Sequence, residues 1–201
     1  MDFDSKYWDD RYLENNLGWD IGYISTPLKE YFDQLKIKSI NILIPGAGNA
    51  YEAEYLWEKG FSNVFIIDWS QNAVKNFRER YPDFPEANIF SEDFFKHKGG
   101  YDLIIEQTFF SSIIPSMRMD YSRKMFELLK PGGKLVGLLF NDALNTDKPP
   151  FGGNKEEYEK YFKPYFEFKV FKTAYNSIKP RAGRELFINL VKKYVLFIDE
   201  G

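Results

Sequence analysis

The chain of 201 residues has no cysteine, which excludes disulfide bonds, thiolate nucleophiles and thiolate metal ligands. Its only histidine, His97, lies in a segment rich in lysine and glycine, so we expect a solvated loop residue there rather than a catalytic base. No apolar run approaches the roughly 18 residues that cross a bilayer, and the acidic start MDFDSKYWDD is not typical of a signal peptide. These absences predict a soluble, cytoplasmic protein.

No charge of one sign dominates, because 27 basic and 30 acidic residues give a formal net charge of −3. The lack of a basic excess argues against nucleic acid as the main partner. The chain is 44% hydrophobic and 19% aromatic, which is ample for a core, and its length favours one domain over residues 1–201. We therefore expect a monomer or weak homodimer that binds a small molecule, with no metal, membrane or nucleic-acid partner.

The most informative stretch covers residues 40–68. A short apolar strand enters a turn that contains Gly46 and Gly48, a helical segment follows, and a second apolar strand delivers Asp68. This order is typical of one half of a nucleotide-binding α/β fold. Glycine lets the backbone turn tightly and approach a ligand, and a carboxylate in that place can accept both hydroxyls of a ribose. The alternative is an ordinary strand-to-helix turn followed by a chance acid.

The same pattern also admits a dinucleotide site of the nicotinamide type. That fingerprint has a third glycine, which lets the helix pack closely on the strand, but here the third position is Tyr51. The tyrosine disfavours pyrophosphate binding, so a nucleoside ligand without a pyrophosphate fits better. An NAD-dependent oxidoreductase therefore stays as the less favoured alternative.

Strand and helix signals alternate up to residue 140, which predicts right-handed crossovers and a parallel sheet. Two later β-rich runs, 166–177 and 186–197, are joined by a short link and predict an antiparallel hairpin at the sheet edge. The expected fold is α/β, with a doubly wound, mostly parallel seven-stranded sheet and an antiparallel C-terminal hairpin strand. The other expected strands are 40–44, 64–67, 87–90, 101–105 and 134–140, and the expected helices are 26–35, 51–59, 70–80, 117–129 and 154–162.

Residues 1–24 are rich in aromatic side chains, and we call this segment the aromatic lid. Trp8 and Tyr12 are four positions apart, so a helix places them on one face. The segment is either a flap that packs on the core or a cover over a ligand, and the two interpretations are compatible. Its aromatic residues are Phe3, Tyr7, Trp8, Tyr12, Trp19 and Tyr23.

Seven short motifs are distributed along most of the chain. They are Gly18-Trp19-Asp20-Ile21-Gly22, Ile44-Pro45-Gly46-Ala47-Gly48 with Glu52, Asp68-Trp69-Ser70, Glu92-Asp93-Phe94-Phe95, Thr108-Phe109-Phe110 with Pro115 and Arg118, Leu129-Lys130-Pro131-Gly132-Gly133, and Arg181-Ala182-Gly183-Arg184-Glu185. On these motifs the chain resembles class I S-adenosylmethionine-dependent methyltransferases. More narrowly, it resembles the thiopurine methyltransferase superfamily, including its thiol and halide methyltransferase branch.

The resemblance implies S-adenosyl-L-methionine as the cofactor and S-adenosyl-L-homocysteine as the product. It implies that Asp68 holds the ribose hydroxyls, that Trp69 lies against the adenine and that Asp93 meets the adenine amino group, with Phe94 beside the ring. The implied cofactor contacts are Trp8, Tyr12, Trp19, Pro45, Gly46, Ala47, Gly48, Asp68, Trp69, Ser70, Asp93, Phe94, Glu106, Gln107 and Thr108.

Glu106 and Arg118 are the candidate catalytic residues. Glu106 follows a central strand and is either an acid–base group or a cap or cofactor contact, whereas Arg118 either faces and steers an anionic substrate or forms a surface salt bridge. Arg181 and Arg184 are expected to be structural or rim residues. A nucleophile that arrives as an anion needs no general base.

The expected function is methyl transfer from S-adenosylmethionine to a small soft nucleophile, namely a thiol, a thiopurine-like sulfur or a halide. Departures from the branch pattern, such as Ala47 in place of cysteine and Glu106 in place of aspartate, leave the acceptor open. A non-catalytic protein that binds the cofactor is the alternative, beside the oxidoreductase.

Overall fold

The strands Ile42–Pro45 and Val64–Asp68 are short runs of mostly buried apolar residues, as in sheets that helices cover on both faces. The computed structural model describes residues 3–194. Its strands are β1 Ile42–Pro45, β2 Val64–Asp68, β3 Ile89–Ser91, β4 Tyr101–Gln107, β5 Leu129–Phe140, β6 Phe166–Thr173 and β7 Glu185–Lys192.

Three of the helices described below begin at a residue whose side chain caps them: Asp4, Ser70 and Asn154. Ser70 Oγ accepts a hydrogen bond from Ala73 N at 3.1 Å, and Asn154 Oδ1 accepts one from Glu157 N at 2.9 Å. None of the helices within residues 3–194 is long and apolar enough to cross a membrane. The helices are α1 Ser5–Leu13, α2 Thr26–Asp33, α3 Tyr51–Glu58, α4 Gln71–Arg80, α5 Phe109–Ser112, α6 Arg118–Leu128 and α7 Lys155–Phe162.

The sheet has seven strands in the order β3-β2-β1-β4-β5-β7-β6. The first five strands are parallel, and β7 pairs antiparallel with both β5 and β6. The expected doubly wound sheet with an antiparallel hairpin strand is therefore confirmed. Chain order reverses between β1 and β4, and ligands of such sheets bind at that switch point, beyond the carboxyl ends of the strands.

Several expected boundaries differ from the structure. The strand expected over 134–140 begins at Leu129, and the Pro131-Gly132-Gly133 break lies inside it, where the register with β4 shifts between Tyr101 and Leu103. The strand expected from residue 87 begins only at Ile89, because a 3₁₀ turn covers Glu86–Asn88. The strand expected over 186–197 ends at Lys192, and its positions 195–197 lie outside the described residues.

The prediction that His97 is solvated was wrong, because its side chain is only 3% exposed. The imidazole Nδ1 lies 2.6 Å from Glu92 Oε1, and Nε2 lies 2.7 Å from the Tyr101 hydroxyl. A Cβ atom on Gly99 would lie 2.7 Å from the Tyr101 ring, so the glycine lets this loop fold back over the start of β4. The segment is a loop in which Lys98, Gly99 and Gly100 are exposed, and His97 alone among these four residues is buried.

Candidate active site

A cavity of about 690 Å³ opens where β1, β2 and β4 end. Its wall is mainly apolar and aromatic, and the aromatic lid, the turns after these strands and the segment after β5 all contribute to it. Ten of the side chains or glycines expected to bind the cofactor line this cavity: Trp8, Tyr12, Trp19, Gly46, Gly48, Asp68, Trp69, Asp93, Phe94 and Thr108.

The turn after β1 depends on its two glycines. Gly46 and Gly48 both have a φ of +56°, a left-handed conformation that is strained for residues with a side chain. A Cβ atom on Gly46 would overlap the Phe109 ring, and one on Gly48 would lie 2.8 Å from the Tyr12 hydroxyl. The glycines therefore let α5 and the aromatic lid approach the turn closely.

Asp68 ends β2 and faces this turn. Its Oδ2 accepts a hydrogen bond from Gly48 N at 2.8 Å, and its Oδ1 accepts one from Ser70 N at 2.8 Å. Burial raises the pKa of the Asp68 carboxyl, although both backbone N–H groups favour its charged form. Each oxygen keeps a second lone pair for a ligand hydroxyl, so the carboxylate is held in place and still able to bind.

A polar and aromatic group of residues lies beside Asp68. Asp93 accepts a hydrogen bond from Phe95 N at 2.9 Å, which fixes the turn that follows β3. Phe94 is buried, and its ring packs edge-on against Phe109 with the centroids 5.1 Å apart. Trp69 is 42% exposed, so much of its ring has no protein neighbour and is free to cover a planar ligand.

The aromatic lid forms one wall of the cavity. The Trp8 and Trp19 rings lie 5.5 Å apart, and the Tyr12 and Trp19 rings lie 6.0 Å apart, both in edge-to-face geometry. Burial raises the pKa of the Tyr12 hydroxyl, which therefore stays protonated. Arg181 Nη2 donates to the Trp19 carbonyl at 2.7 Å, so the hairpin at the other end of the chain fixes the lid.

The remaining expected cofactor residues lie beside or behind the main cavity. Ala47 and Gln107 line a smaller cavity of about 60 Å³ on the other side of the glycine turn. Pro45 is buried in β1, and Ser70 is buried beneath the lid, where its hydroxyl donates to Asp9 Oδ1 at 2.6 Å. These two residues support the site rather than line it.

Glu106 was expected to serve as an acid–base group or a cap, and its contacts are those of a cap. The carboxylate is fully buried, accepts a hydrogen bond from Phe110 N at 2.9 Å and accepts another from the Tyr121 hydroxyl. Burial raises its pKa to about 7 despite these donors. It does not line the cavity, because both oxygens point at α5 and α6.

The expectation that Arg118 faces the substrate is corrected by the structure. Its side chain is fully buried and does not line the cavity. The guanidinium donates to Glu157 Oε1 at 3.1 Å and to the carbonyl oxygens of Phe151 and Gly152 at 3.2 and 2.9 Å. The alternative of a surface salt bridge is also wrong, because the Arg118 side chain is buried where its pair with Glu157 joins α6 to α7.

The cationic side chains on the cavity wall are instead Arg11, Arg181 and Arg184. Arg11 lies over the Trp19 ring at 5.2 Å, and Arg184 pairs with Asp142. Arg181 is 7% exposed and pairs with Glu185 at 3.3 Å. The Arg181-to-Glu185 motif was the one signal for these arginines in the sequence, and nothing in the sequence showed that they line the same cavity.

Within residues 3–194 no group of three or more metal-ligating side chains is present.

Comparison with known proteins gives a family match and several named relatives. The family model for thiopurine S-methyltransferase matches residues 3–197. A probable thiol methyltransferase 2 from Arabidopsis thaliana is 29% identical over 185 residues, which cover 89% of this chain and 81% of the relative. A thiocyanate methyltransferase 1 from the same plant is 28% identical over 187 residues, with the same shares of each chain. The thiopurine S-methyltransferase of Acinetobacter baylyi is 25% identical over 190 residues, covering 83% and 87%.

Solved structures of low sequence identity share the fold. A TehB-like S-adenosylmethionine-dependent methyltransferase from Corynebacterium glutamicum superposes with a TM-score of 0.68 at 16% identity, over 94% of this chain and 98% of that one. A Burkholderia thailandensis 1,6-didemethyltoxoflavin-N1-methyltransferase, solved with S-adenosylhomocysteine bound, gives 0.76 at 15% identity, over 94% and 87%.

Proposed function

The chain belongs to the thiopurine S-methyltransferase family, and we propose that it transfers the methyl group of S-adenosylmethionine to a small soft nucleophile, namely a thiol, a thiopurine-like sulfur or a halide. One observation carries the proposal: a cavity of about 690 Å³ joins the Gly48 turn and the Asp68 carboxylate to an apolar wall that bears arginines. Relatives named for thiol, thiocyanate and thiopurine methyl transfer support this acceptor class.

The residues around the glycine turn fit S-adenosylmethionine. When bound, the cofactor supplies a methyl group on a positively charged sulfur. Asp68 is held by two backbone donors and keeps lone pairs for two ribose hydroxyls. Trp69, Asp93 and Phe94 offer a planar, partly polar site for adenine next to it. Gly46 and Gly48 line the cavity at the turn after β1, where the methionine part would lie.

The aromatic lid then has two roles in the proposed reaction. Trp8, Tyr12 and Trp19 present ring faces and edges where a sulfonium would lie, and such cation–π contacts contribute about 0.5–2 kcal/mol. The lid also excludes water, which strengthens electrostatic interactions inside the cavity.

We propose that the lid, together with the rest of the chain, forms one domain over residues 1–201.

The remaining cavity wall is suited to an acceptor that arrives as an anion. Arg11, Arg181 and Arg184 bring cationic groups to it, and carboxylates pair with Arg181 and Arg184. Phe140 and Met117 provide apolar surface. Attack by a thiolate joins a negative charge to a positive one, so no proton has to be removed. Holding the nucleophile near the methyl group can supply about 7–11 kcal/mol of the barrier reduction through proximity and orientation.

In this proposal Glu106 is not a general base. Its two oxygens hold Phe110 N and the Tyr121 hydroxyl, and the carboxylate does not reach the cavity. Its role is to fix the turn at the start of α5, which carries Phe109 against Gly46 and Phe94. Arg118 likewise binds other parts of the protein and does not reach the acceptor.

The charge of the chain bears on the partners of the protein. The formal net charge of −3 supports a small-molecule acceptor over nucleic acid. We propose a cytoplasmic protein, free of membranes and metals, that acts as a monomer or weak homodimer.

Calorimetry and turnover together test the function. We expect binding of S-adenosylmethionine and S-adenosylhomocysteine and no binding of NAD, followed by formation of a methyl thioether from an acidic aromatic thiol. Binding without turnover of any thiol, iodide or bisulfide would indicate a non-catalytic cofactor-binding protein. Binding of NAD alone would reject the proposal.

A further inference from the structure

Arg118 is a buried cation that links three parts of the chain. It begins α6, its charge is matched by Glu157 of α7 at 3.1 Å, and its side chain is 1% exposed. The guanidinium also lies over the Phe110 and Tyr158 rings, at 4.8 and 5.3 Å from their centroids. A buried charge is tolerated only where it is paired and hydrogen-bonded, so these contacts define one orientation of the side chain.

Two of the acceptors of Arg118 belong to the 141–154 loop, which follows β5. Arg118 Nη2 donates to the Phe151 carbonyl at 3.2 Å and to the Gly152 carbonyl at 2.9 Å. The loop is also fixed by Phe151 N, which donates to the Ser111 carbonyl at 2.7 Å. Within residues 3–194, Arg118 is the only charged side chain that donates to the carbonyls of Phe151 and Gly152.

The same loop forms part of the cavity wall. Leu144, Pro149 and Pro150 line the cavity, and none of them belongs to the set expected to bind the cofactor. Phe151 is buried, and its ring meets the Phe3 ring of the aromatic lid edge-on at 5.6 Å. The loop thus shapes the part of the cavity beyond the Asp68 and glycine-turn site and contacts the lid that covers it.

We propose that Arg118 is a positioning residue that holds the 141–154 loop against the cavity and so determines how well bulky acceptors bind. The inference rests on the proposed methyl transfer, because it assigns Leu144, Pro149 and Pro150 to the acceptor. A bulky aromatic thiol packs on this wall, whereas bisulfide is too small to reach both it and the reacting centre. Arg118 itself touches neither the acceptor nor the cofactor.

The planar guanidinium is needed for this role. It reaches Glu157 through one terminal nitrogen and both carbonyls through the other. Lysine keeps the charge but offers a compact ammonium without the fixed fork of donors. Arg118→Lys therefore weakens the link between the loop and α6 without leaving Glu157 unpaired. Arg123→Gln is the matched control, because Arg123 lies on the same helix, is 57% exposed and pairs with Asp120 instead.

The first experiment measures amide hydrogen exchange in the complex with S-adenosylhomocysteine. We expect the amides of residues 144–153 to exchange about tenfold faster in Arg118→Lys than in the wild type, and no change in Arg123→Gln. Equal exchange in all three proteins would overturn the inference. This readout does not require turnover, so it stays informative if the proposed function fails.

The second experiment compares kcat/KM for an acidic aromatic thiol and for bisulfide. For Arg118→Lys we expect a loss of about tenfold or more with the aromatic thiol, mainly in KM, because a displaced wall misplaces the acceptor. Bisulfide turnover should stay within about threefold and the Kd for S-adenosylhomocysteine within about twofold. A parallel loss for both acceptors would mean a purely structural role and reject the proposal.

A second variant keeps the proposal testable if Arg118→Lys does not fold. Glu157→Asp keeps the paired charge but shortens the side chain that reaches Arg118, so we expect the same selective loss, about fivefold with the aromatic thiol and none with bisulfide. Absence of wild-type turnover with any thiol would instead reject the proposed function, and with it the assignment of the loop to an acceptor.

Discussion

The Asp9 carboxylate in the aromatic lid accepts a hydrogen bond at 2.6 Å from Ser70 Oγ, two residues after the end of β2. The same Asp9 oxygen accepts from Asn72 N at 3.0 Å, so it caps α4 from outside. Ser70 N in turn donates to Asp68 at 2.8 Å. The lid and the proposed ribose site are therefore connected by one short chain of hydrogen bonds.

We expect Asp9→Ala to weaken binding of S-adenosylhomocysteine by about 1.5 kcal/mol, slightly more than tenfold in Kd, because the closed lid loses its docking contact. Asp9→Asn keeps an acceptor oxygen and should stay within about threefold of the wild type. Calorimetry measures both, and limited proteolysis of the segment around residues 7–23 shows whether ligand still protects the lid. Equal affinity of the alanine and wild-type proteins would mean that the lid is a fixed flap.

Asp68→Ala should weaken binding of S-adenosylmethionine by about 1.5–3 kcal/mol, the range for hydrogen bonds to a charged group. The reason is its place at the end of β2, where two backbone donors hold it toward the cavity. Calorimetry with Asp83→Ala, a change in an exposed turn, provides the control. Unchanged affinity in Asp68→Ala would remove the ribose assignment.

Glu106 makes stability depend on pH in a defined direction. Burial raises its pKa from 4.5 to about 7, so the folded protein binds this proton more tightly than the unfolded chain. The neutral carboxyl contributes stability that is fully present below pH 4.5 and is lost as the pH rises through about 7. Glu106→Gln mimics the neutral form, so its free energy of unfolding relative to the wild type should rise by up to about 3 kcal/mol between pH 5 and 8.

Urea denaturation at several pH values measures this difference. The control is Glu127→Gln on the exposed side of α6, which should follow the wild-type curve, since Glu127 is 55% exposed. Parallel curves for the wild type and Glu106→Gln would show that Glu106 does not carry the pH dependence. Glu52, whose pKa burial also raises to about 7, would then be the next group to replace.

Much of the fold, and many of the residues that line the main cavity, could be predicted because the signals are local. The glycines at 46 and 48, the apolar strands and Asp68 lie within one short segment, and their chain order dictates their positions on a parallel sheet. The hairpin was predictable for the same reason, since its strands are near neighbours in the chain.

The residues that could not be assigned depend on contacts between distant segments. Arg118 reaches carbonyls 33 and 34 positions away, and Arg181 reaches the Trp19 carbonyl across 162 positions. A charged residue in a sequence is most simply assigned to the surface, and only the folded structure shows Arg118 buried with its partners. The burial of His97 was missed because glycine indicated a loop without indicating what packs on it.

The central claim is that the acceptor arrives ionised and that no protein base removes its proton. It is tested most directly by measuring kcat/KM against pH for a series of aryl thiols of graded acidity. We predict that the inflection of each profile moves with the pKa of the thiol itself, that aliphatic alcohols give no product, and that Glu106→Gln keeps the rate with an ionised thiol within about tenfold. An inflection that stays at one pH for every thiol and disappears in Glu106→Gln would contradict the claim and make Glu106 the base.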